Sequence, residues 1–182
     1  IRSNIYENWE WIPEIVRPYY VKKVLLIGCE STGKSTLSQN LALHFNTNYM
    51  EEAGREISER SGTDMLMLPE DFTDILLTHK QREIEAVKHS NKVLFEDTDC
   101  LITRFFLDFL EGKDKERNAA LADAIAQFNE YDLIFFCEPD VKFVQDGDRS
   151  EVIAADREKY SEMIKEIYHS HGYDFISLKG NY

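Results

Sequence analysis

Residues 28–35 constrain the fold of this chain more than any other stretch of its sequence. They read GCESTGKS and fit the pattern G-x-x-x-x-G-K-[ST] without a mismatch. A short apolar run, Val24 to Ile27, comes directly before the motif, and a helical pattern begins at Lys34. Glycines at these spacings allow backbone N–H groups to turn toward phosphate oxygens, and the N-terminus of the helix adds partial positive charge. The preceding strand and the following helix favour a phosphate-binding loop, or P-loop, over an ordinary glycine-rich turn.

The side chains of this loop have separate expected roles. Lys34 is expected to contact the β- and γ-phosphates, and the Ser35 hydroxyl is expected to complete the coordination shell of Mg²⁺. The other predicted nucleotide contacts are Gly28, Glu30, Ser31, Thr32, Gly33 and Thr36. The loop therefore predicts binding of nucleotide phosphates together with Mg²⁺.

Apolar runs alternate with helical patterns along the rest of the chain. The predicted strands cover residues 24–27, 48–51, 93–95, 133–136 and 175–178. The predicted helices cover residues 34–45, 54–60, 69–90, 101–110, 116–128 and an amphipathic stretch after residue 149. Strands separated by helices favour parallel pairing, so we expect a three-layer α/β fold with a five-stranded parallel sheet.

The first 22 residues differ in texture from the rest, because they hold both tryptophans and two of the four prolines. They are predicted to be an interdomain linker or N-terminal brace whose rings pack on the domain surface. A hinge to an upstream domain is the alternative. Residues 23–182 have the length of a single domain, which buries about 70% of its unfolded surface.

The charge balance excludes several kinds of partner. The chain has 21 Lys and Arg against 34 Asp and Glu, a formal net charge of −13. Nucleic acids and anionic membranes require cationic faces, so neither is expected to bind this piece. The three cysteines form no CxxC pair, which favours a reducing compartment and a cytoplasmic location. Any phosphate must therefore be bound by a local cluster of donors.

Other motifs narrow the class of P-loop protein. The candidate for the guanine-reading NKxD motif of GTPases, residues 91–94, lacks the aspartate. The signature loop of ABC ATPases is missing, and the chain is short for an AAA module. We therefore expect the P-loop nucleoside triphosphate hydrolase fold of the small-molecule kinase type. Such kinases place their substrate pocket at the ends of the second and third strands, under an arginine-bearing lid.

Charged residues follow both of these predicted strands. Glu51, Glu52 and Arg55 follow the second strand, and Asp97 and Asp99 follow the third. A kinase that acts on a ribose needs carboxylates to accept the hydroxyl proton, to bind sugar hydroxyls and to order the metal's water shell. The alternatives are a solvated acidic turn for the glutamates and a helix cap for Asp99. A carboxylate at the end of an apolar strand is costly without a function, which favours a role for Asp97.

The lid is predicted at residues 146–149, which read DGDR. Arg149 and Arg157 could each neutralise charge on the transferred phosphoryl group, and surface ion pairs are the alternative for both. Gln81 could read a carboxamide of the acceptor, or it could lie on the surface.

Taken together, these stretches resemble a known family. The matching segments are GCESTGKSTL, EEAGRE, KQREIEAVKHSNKVLFEDTD, FLEGK and DGDRS, with WIPE and VRPYYV in the opening segment. They are similar to the nicotinamide riboside kinase domain of bifunctional proteins that join this kinase to an upstream NMN adenylyltransferase. Some bacterial members also carry a DNA-binding repressor segment. The resemblance implies that residues 23–182 are a P-loop kinase domain and the C-terminal part of a longer chain, with oligomers possible.

The resemblance implies ATP-dependent phosphorylation of the 5′-hydroxyl of nicotinamide riboside, which gives NMN in NAD salvage. Another nucleoside or nucleotide kinase, or a nucleotide-sensing module with little turnover, is the alternative. The roles carried over are Lys34 and Ser35 for phosphate and metal, Glu52 and Asp97 near the ribose and Mg²⁺, Asp99 as a second polar contact and Arg149 in the lid. Glu52 is the first choice for the base and Asp97 the second. Three departures are Ala53, where the family often has an aromatic ring, Cys29 in place of a second glycine, and Glu96, which interrupts an otherwise apolar strand end.

Overall fold

Parallel strands form the central layer of the fold. A computed structural model describes residues 4–61, 68–109, 113–146 and 149–180. The strands are β1 Lys22–Ile27, β2 Tyr49–Met50, β3 Val93–Asp97, β4 Leu133–Cys137 and β5 Ile176–Leu178. They form one five-stranded sheet in the order β2-β3-β1-β4-β5, and every pairing is parallel. The predicted parallel sheet is therefore confirmed.

Helices connect the strands. They are α1 Lys34–Phe45, α2 Ala53–Ser61, α3 Pro69–Lys88, α4 Cys100–Phe106, α5 Lys113–Ala126, α6 Glu151–Ala155 and α7 Arg157–Ser170. The predicted helix over residues 101–110 is wrong in its last turn, because a short 3-10 helix covers Leu107–Phe109. The helix predicted after residue 149 is two helices. They are separated at Asp156, which has a non-helical backbone and a carboxylate that caps the N-terminus of α7. In the part of the chain that the structure describes, no helix is long and apolar enough to cross a membrane.

The middle strand β1 explains why its sequence is a continuous apolar run. Leu25 and Ile27 pack with residues of α4, α5 and α7 on one face of the sheet. Val24 and Leu26 pack against α1 on the other face. Since β1 lies between β3 and β4 and is covered on both faces, each of its central side chains must be apolar.

The third strand is longer than predicted. It includes Glu96 and Asp97, which pair with Leu25 and Leu26 of β1, and the Thr98 N–H donates to the Leu26 carbonyl. The carboxyl end of β3 therefore lies beside the carboxyl end of β1, where the P-loop begins. In parallel α/β sheets, ligands bind at this edge.

The opening segment has a buried side and an exposed side. It contains two short 3-10 helices, Trp9–Trp11 and Glu14–Tyr20. Trp9 is 3% exposed, whereas Trp11 is 76% exposed and Tyr19 is 85% exposed. The buried side fits a brace, and the exposed side fits a linker. The assignment of residues 1–22 to a separate segment stays a prediction.

Candidate active site

The P-loop holds its lysine close to its own backbone. Gly28 has a φ of 145°, and a Cβ atom there would lie 2.5 Å from the carbonyl oxygen of Cys137. The Thr32 hydroxyl and the Lys34 ammonium both donate to the Cys29 carbonyl, each at 2.9 Å. Lys34 is buried at the start of α1, as the motif predicts. The loop therefore places one cation beside its ring of backbone N–H groups.

Asp97 lies next to the P-loop. Its side chain is buried, and its Oδ1 atom has no hydrogen-bond partner among the described residues. Burial raises the pKa of Asp97, while Lys34 and the hydroxyl of Ser35 act in the opposite direction. An unpartnered carboxylate oxygen beside a hydroxyl fits the oxygen ligands that Mg²⁺ prefers, with phosphates and water completing its shell. The described residues contain no cluster of three or more His, Cys, Asp or Glu that would hold a metal by themselves.

A cavity of about 480 Å³ opens from the P-loop. Its polar end is lined by Glu30, Lys34, Glu52, Arg55, Asp146 and Arg149. Its apolar end is lined by Phe72, Ile75, Ile102, Phe105, Phe106, Phe109, Val152, Ile153 and Ile164. This volume and this mixture of surfaces are typical of small-molecule sites. The cavity can therefore hold a ligand that has one charged end and one aromatic or apolar end.

Arg149 reaches the polar end from the predicted lid. Its guanidinium donates to the Ser31 hydroxyl at 3.0 Å and to the Val144 carbonyl, and it forms an ion pair with Asp146 at 3.2 Å. Asp146 also pairs with Arg55 of α2 at 3.4 Å. One carboxylate thus lies between two arginines that line the cavity. The other two residues of the predicted lid, 147 and 148, are outside the described residues.

Arg157 lies against the P-loop but does not line the cavity. It donates to the Val141 carbonyl at 2.7 Å and to the Ser31 carbonyl at 3.0 Å. Its hydrogen bonds are therefore to backbone oxygens, which neither of the sequence interpretations anticipated. Burial lowers its pKa from the ordinary value.

Two predicted substrate contacts lie elsewhere. Asp99 is buried below the sheet edge, where it caps α4 through the Leu101 N–H at 2.9 Å and accepts hydrogen bonds from Tyr131 and Tyr168. It therefore has the helix-capping role that was the alternative. Gln81 is exposed on α3 and is not part of the cavity lining. The position of Gln81 therefore agrees with the alternative interpretation, a surface residue.

The aromatic end of the cavity was missed by sequence reasoning. Phe105 of α4 is buried, and it lines the cavity together with Phe106 at the end of α4 and Phe109 of the following 3-10 helix. On α3, Phe72, Ile75 and His79 line the same cavity at helical spacings of three and four. That helical spacing was the sequence signal that could have identified this side of the cavity. Burial lowers the pKa of His79 to about 4, so its ring is neutral at neutral pH.

Comparison with known proteins places this geometry in a family. A family profile described as AAA domain matches residues 23–182. The chain belongs to this AAA domain family. The exclusion of an AAA domain on chain length is therefore wrong.

Two curated relatives match nearly the whole chain. The trifunctional NAD biosynthesis/regulator protein NadR of Salmonella typhimurium (strain LT2) is 36% identical over 181 residues. The protein of the same name from Escherichia coli (strain K12) is 35% identical over 181 residues. In each case the match covers 98% of this chain and 43% of the relative. The chain thus spans less than half the length of these relatives, to which it is homologous.

Comparison with solved structures also finds NadR proteins. A NadR protein in complex with NR has a TM-score of 0.89 and 26% identity, over 99% of this chain and 52% of that one. A NadR protein in complex with NAD and AMP-PNP has a TM-score of 0.83 at 24% identity, over 100% of this chain and 50% of that one. Deoxyadenosine kinase from M. mycoides has a TM-score of 0.58 at 15% identity, over 86% of this chain and 90% of that one. The second and third of these structures are less than 25% identical to this chain, so their similarity concerns the fold alone. The predicted P-loop fold of the small-molecule kinase type is confirmed.

Proposed function

We propose that this chain is an ATP- and Mg²⁺-dependent kinase that phosphorylates the 5′-hydroxyl of nicotinamide riboside to give NMN in NAD salvage. One observation carries the proposal. A single cavity joins the phosphate-binding loop to an aromatic pocket, with Glu52 and Arg55 on its polar side. This arrangement suits a phosphoryl donor at one end and a nucleoside with a flat base at the other. Homology to NadR proteins supports the same acceptor.

The donor side is built from the P-loop. Lys34 and the backbone N–H groups of residues 29–35 would bind the β- and γ-phosphates of ATP. Ser35 and Asp97 would hold Mg²⁺, which supplies neutralisation of phosphate charge when it is bound. Arg149 lines the same end of the cavity and would bind the transferred phosphoryl group. These residues position and neutralise the phosphates, which is most of what phosphoryl transfer requires from a protein.

The acceptor side supplies a base and an aromatic surface. Glu52 lines the cavity and is half-buried, so it is the proposed base for the proton of the 5′-hydroxyl. Ala53 is fully buried against Ile57 and Ile75, so it packs between α2 and α3. The ring that binds nicotinamide would instead come from Phe72, Phe105, Phe106 or Phe109. The nicotinamide of the riboside is cationic, and the face of a phenylalanine ring attracts cations.

The cellular setting is also proposed. The name of the Salmonella relative describes three functions, and this chain corresponds to 43% of its length. We expect an NMN adenylyltransferase domain upstream, which would use the NMN formed here. The cysteines described are free and buried, which suits the reducing cytosol.

A panel of nucleosides tests the reaction. Purified protein with MgATP is expected to form ADP with nicotinamide riboside and much less with cytidine or thymidine. Lys34→Ala should lower NMN formation about 100-fold or more, because a preorganised phosphate contact is lost. The exposed Lys142→Ala is the matched control and should leave the rate unchanged. Turnover of cytidine or thymidine without nicotinamide riboside would contradict the proposed acceptor.

The two candidate bases are separated by matched amide variants. Glu52→Gln should lower kcat about 100-fold or more, since it removes the general base, and leave the affinity for AMP-PNP within about twofold. Asp97→Asn should weaken binding of AMP-PNP in the presence of Mg²⁺, because a carboxylate ligand is lost. The measurements are steady-state kinetics and calorimetry. If only Asp97→Asn lowers kcat and nucleotide binding is unchanged, then Asp97 is the base.

A further inference from the structure

Ser31 has an unusual backbone for its residue type. It lies in the middle of the P-loop with a φ of 57°, in the left-handed region that glycine adopts freely. The loop has glycines at its other two positive-φ positions, Gly28 and Gly33. A serine keeps a left-handed backbone only where its surroundings fix it. The contacts that fix Ser31 therefore help to set the direction of the loop's N–H groups.

Three of these contacts come from one distant segment, residues 144–157. The Val144 N–H donates to the Ser31 hydroxyl oxygen at 2.9 Å, and Arg149 donates to the same oxygen at 3.0 Å. Arg157 donates to the Ser31 carbonyl at 3.0 Å. The adjacent Glu30 carboxylate accepts from the Ser150 N–H at 3.0 Å. The middle of the P-loop is thus held by the segment that contains the lid.

The two arginines differ in what they face. Arg149 lines the cavity, whereas Arg157 does not. One terminal nitrogen of Arg157 donates to Ser31, and the other donates to Val141. Its guanidinium lies 5.7 Å from the centre of the Phe143 ring. A planar guanidinium can hold two carbonyl groups at a fixed angle, which the single ammonium of a lysine cannot do.

We infer that Arg157 is a positioning residue that holds Ser31 in its left-handed conformation and so preorganises the P-loop for phosphate binding, without contacting the transferred phosphoryl group. The inference rests on the proposed function in taking ATP as the ligand. It does not depend on the identity of the acceptor.

A double-mutant cycle at positions 31 and 157 tests this role. Binding of AMP-PNP with Mg²⁺ is measured by calorimetry for the unchanged chain, Arg157→Lys, Ser31→Gly and the double variant. Arg157→Lys should weaken binding about tenfold, because an ammonium group cannot keep both charge-assisted hydrogen bonds to the Val141 and Ser31 carbonyls. In the Ser31→Gly background the same change should weaken binding less than about threefold, since glycine adopts the left-handed conformation without help.

The controls separate this role from folding and from the proposed reaction. Arg117→Lys is the matched substitution on an exposed arginine of α5 and should leave binding unchanged. Melting temperatures confirm that each variant is folded at the temperature of the titration. Where turnover is measured, KM for ATP should rise with Arg157→Lys more than kcat falls.

Two results would overturn the inference. An equal loss in both backgrounds would mean that Arg157 contacts the nucleotide directly. Unchanged AMP-PNP binding with Arg157→Lys would mean that Arg157 does not organise the loop. Because the titration contains no acceptor, failure of nicotinamide riboside as a substrate leaves this test intact.

Discussion

At the scale of single residues, two adjacent carboxyl groups in β3 have opposite surroundings. Successive side chains of a strand point to opposite faces of a sheet. Asp97 faces Lys34 and Ser35, while Glu96 faces the side of Glu83 and Lys23. Glu96 is fully buried, and neither of its carboxyl oxygens has a hydrogen-bond partner among the residues described. Burial, reinforced by the charge of Glu83, raises the pKa of Glu96 to about 8.

This pKa predicts how stability changes with pH. A carboxyl group whose pKa is higher in the folded than in the unfolded chain favours folding less as pH rises, from about 4.5 to about 8 here. Each unit of that difference corresponds to about 1.4 kcal/mol. Glu96→Gln needs no proton, so its free energy of unfolding should fall less between pH 5.5 and pH 8.5 in urea titrations. The exposed Glu166→Gln should keep the original slope. Parallel slopes for the Glu96 variant and the unchanged chain would contradict the prediction.

Residues 97–99 show which part of the site could not be predicted from the sequence. Asp97 and Asp99 both follow the predicted third strand, and both were expected to contact the substrate. The chain turns between them, because Thr98 has a φ of 67°. Asp99 then meets Tyr131 and Tyr168, which lie 32 and 69 residues away in sequence. No local sequence pattern predicts hydrogen-bond partners that are so far apart in the chain.

At the scale of elements, the parallel pairing was predicted correctly, but the ends of elements were predicted correctly only where local signals set them. The helix α1 has the predicted limits, since the glycine before it and the apolar spacing within it are local features. The strand β3 extends two residues beyond the prediction, because its end is decided by pairing with β1. The cavity faces of α3 and α4 depend on what each helix packs against. The position of the P-loop between β1 and α1 could therefore be predicted, and the aromatic pocket could not.

The first glycine of the P-loop, Gly28, leaves no room for a side chain. Gly28→Ala should lower the free energy of unfolding by about 2 kcal/mol or more, because the new Cβ meets the Cys137 carbonyl oxygen in addition to backbone strain. Binding of AMP-PNP should weaken in parallel. Urea unfolding and calorimetry measure the two effects.

The matched control for this change is Gly172→Ala. Gly172 has a φ of 82°, but a Cβ there meets no atom within 4 Å. It isolates backbone strain and should destabilise by only about 1 kcal/mol, with nucleotide binding unchanged. Equal losses of stability at the two positions would show that contact with Cys137 is unimportant.

At the scale of the whole molecule, a net charge of −13 opposes ATP and attracts a cationic nucleoside. Three cations that can counter this field locally, Lys34, Arg55 and Arg149, line the polar end of the cavity. Under the proposed function, local donors would bind the polyanionic phosphates of ATP, while the overall field favours approach of the cationic acceptor.

Added salt should affect the long-range repulsion of ATP and the long-range attraction of the cationic nucleoside in opposite ways. Raising ionic strength from about 0.02 M to about 0.3 M shortens the screening length several-fold. KM for nicotinamide riboside should rise about two- to fivefold, because long-range attraction is lost. KM for ATP should fall or stay level, because long-range repulsion is screened as well. The two substrates serve as controls for each other in steady-state kinetics, and changes in the same direction would contradict a role for the net charge.

The central position of β1 also sets the order in which this chain can fold. Its neighbours in the sheet begin at Val93 and Leu133, so β1 has its first partner strand only when about half of the chain is available, and its second only after residue 133. The contact from Arg157 to Ser31 spans 126 residues. Contacts between distant parts of a sequence are slow to form, because long loops must close first. During synthesis, the P-loop therefore emerges well before Arg157, and the contact between them can form only after α7 has begun.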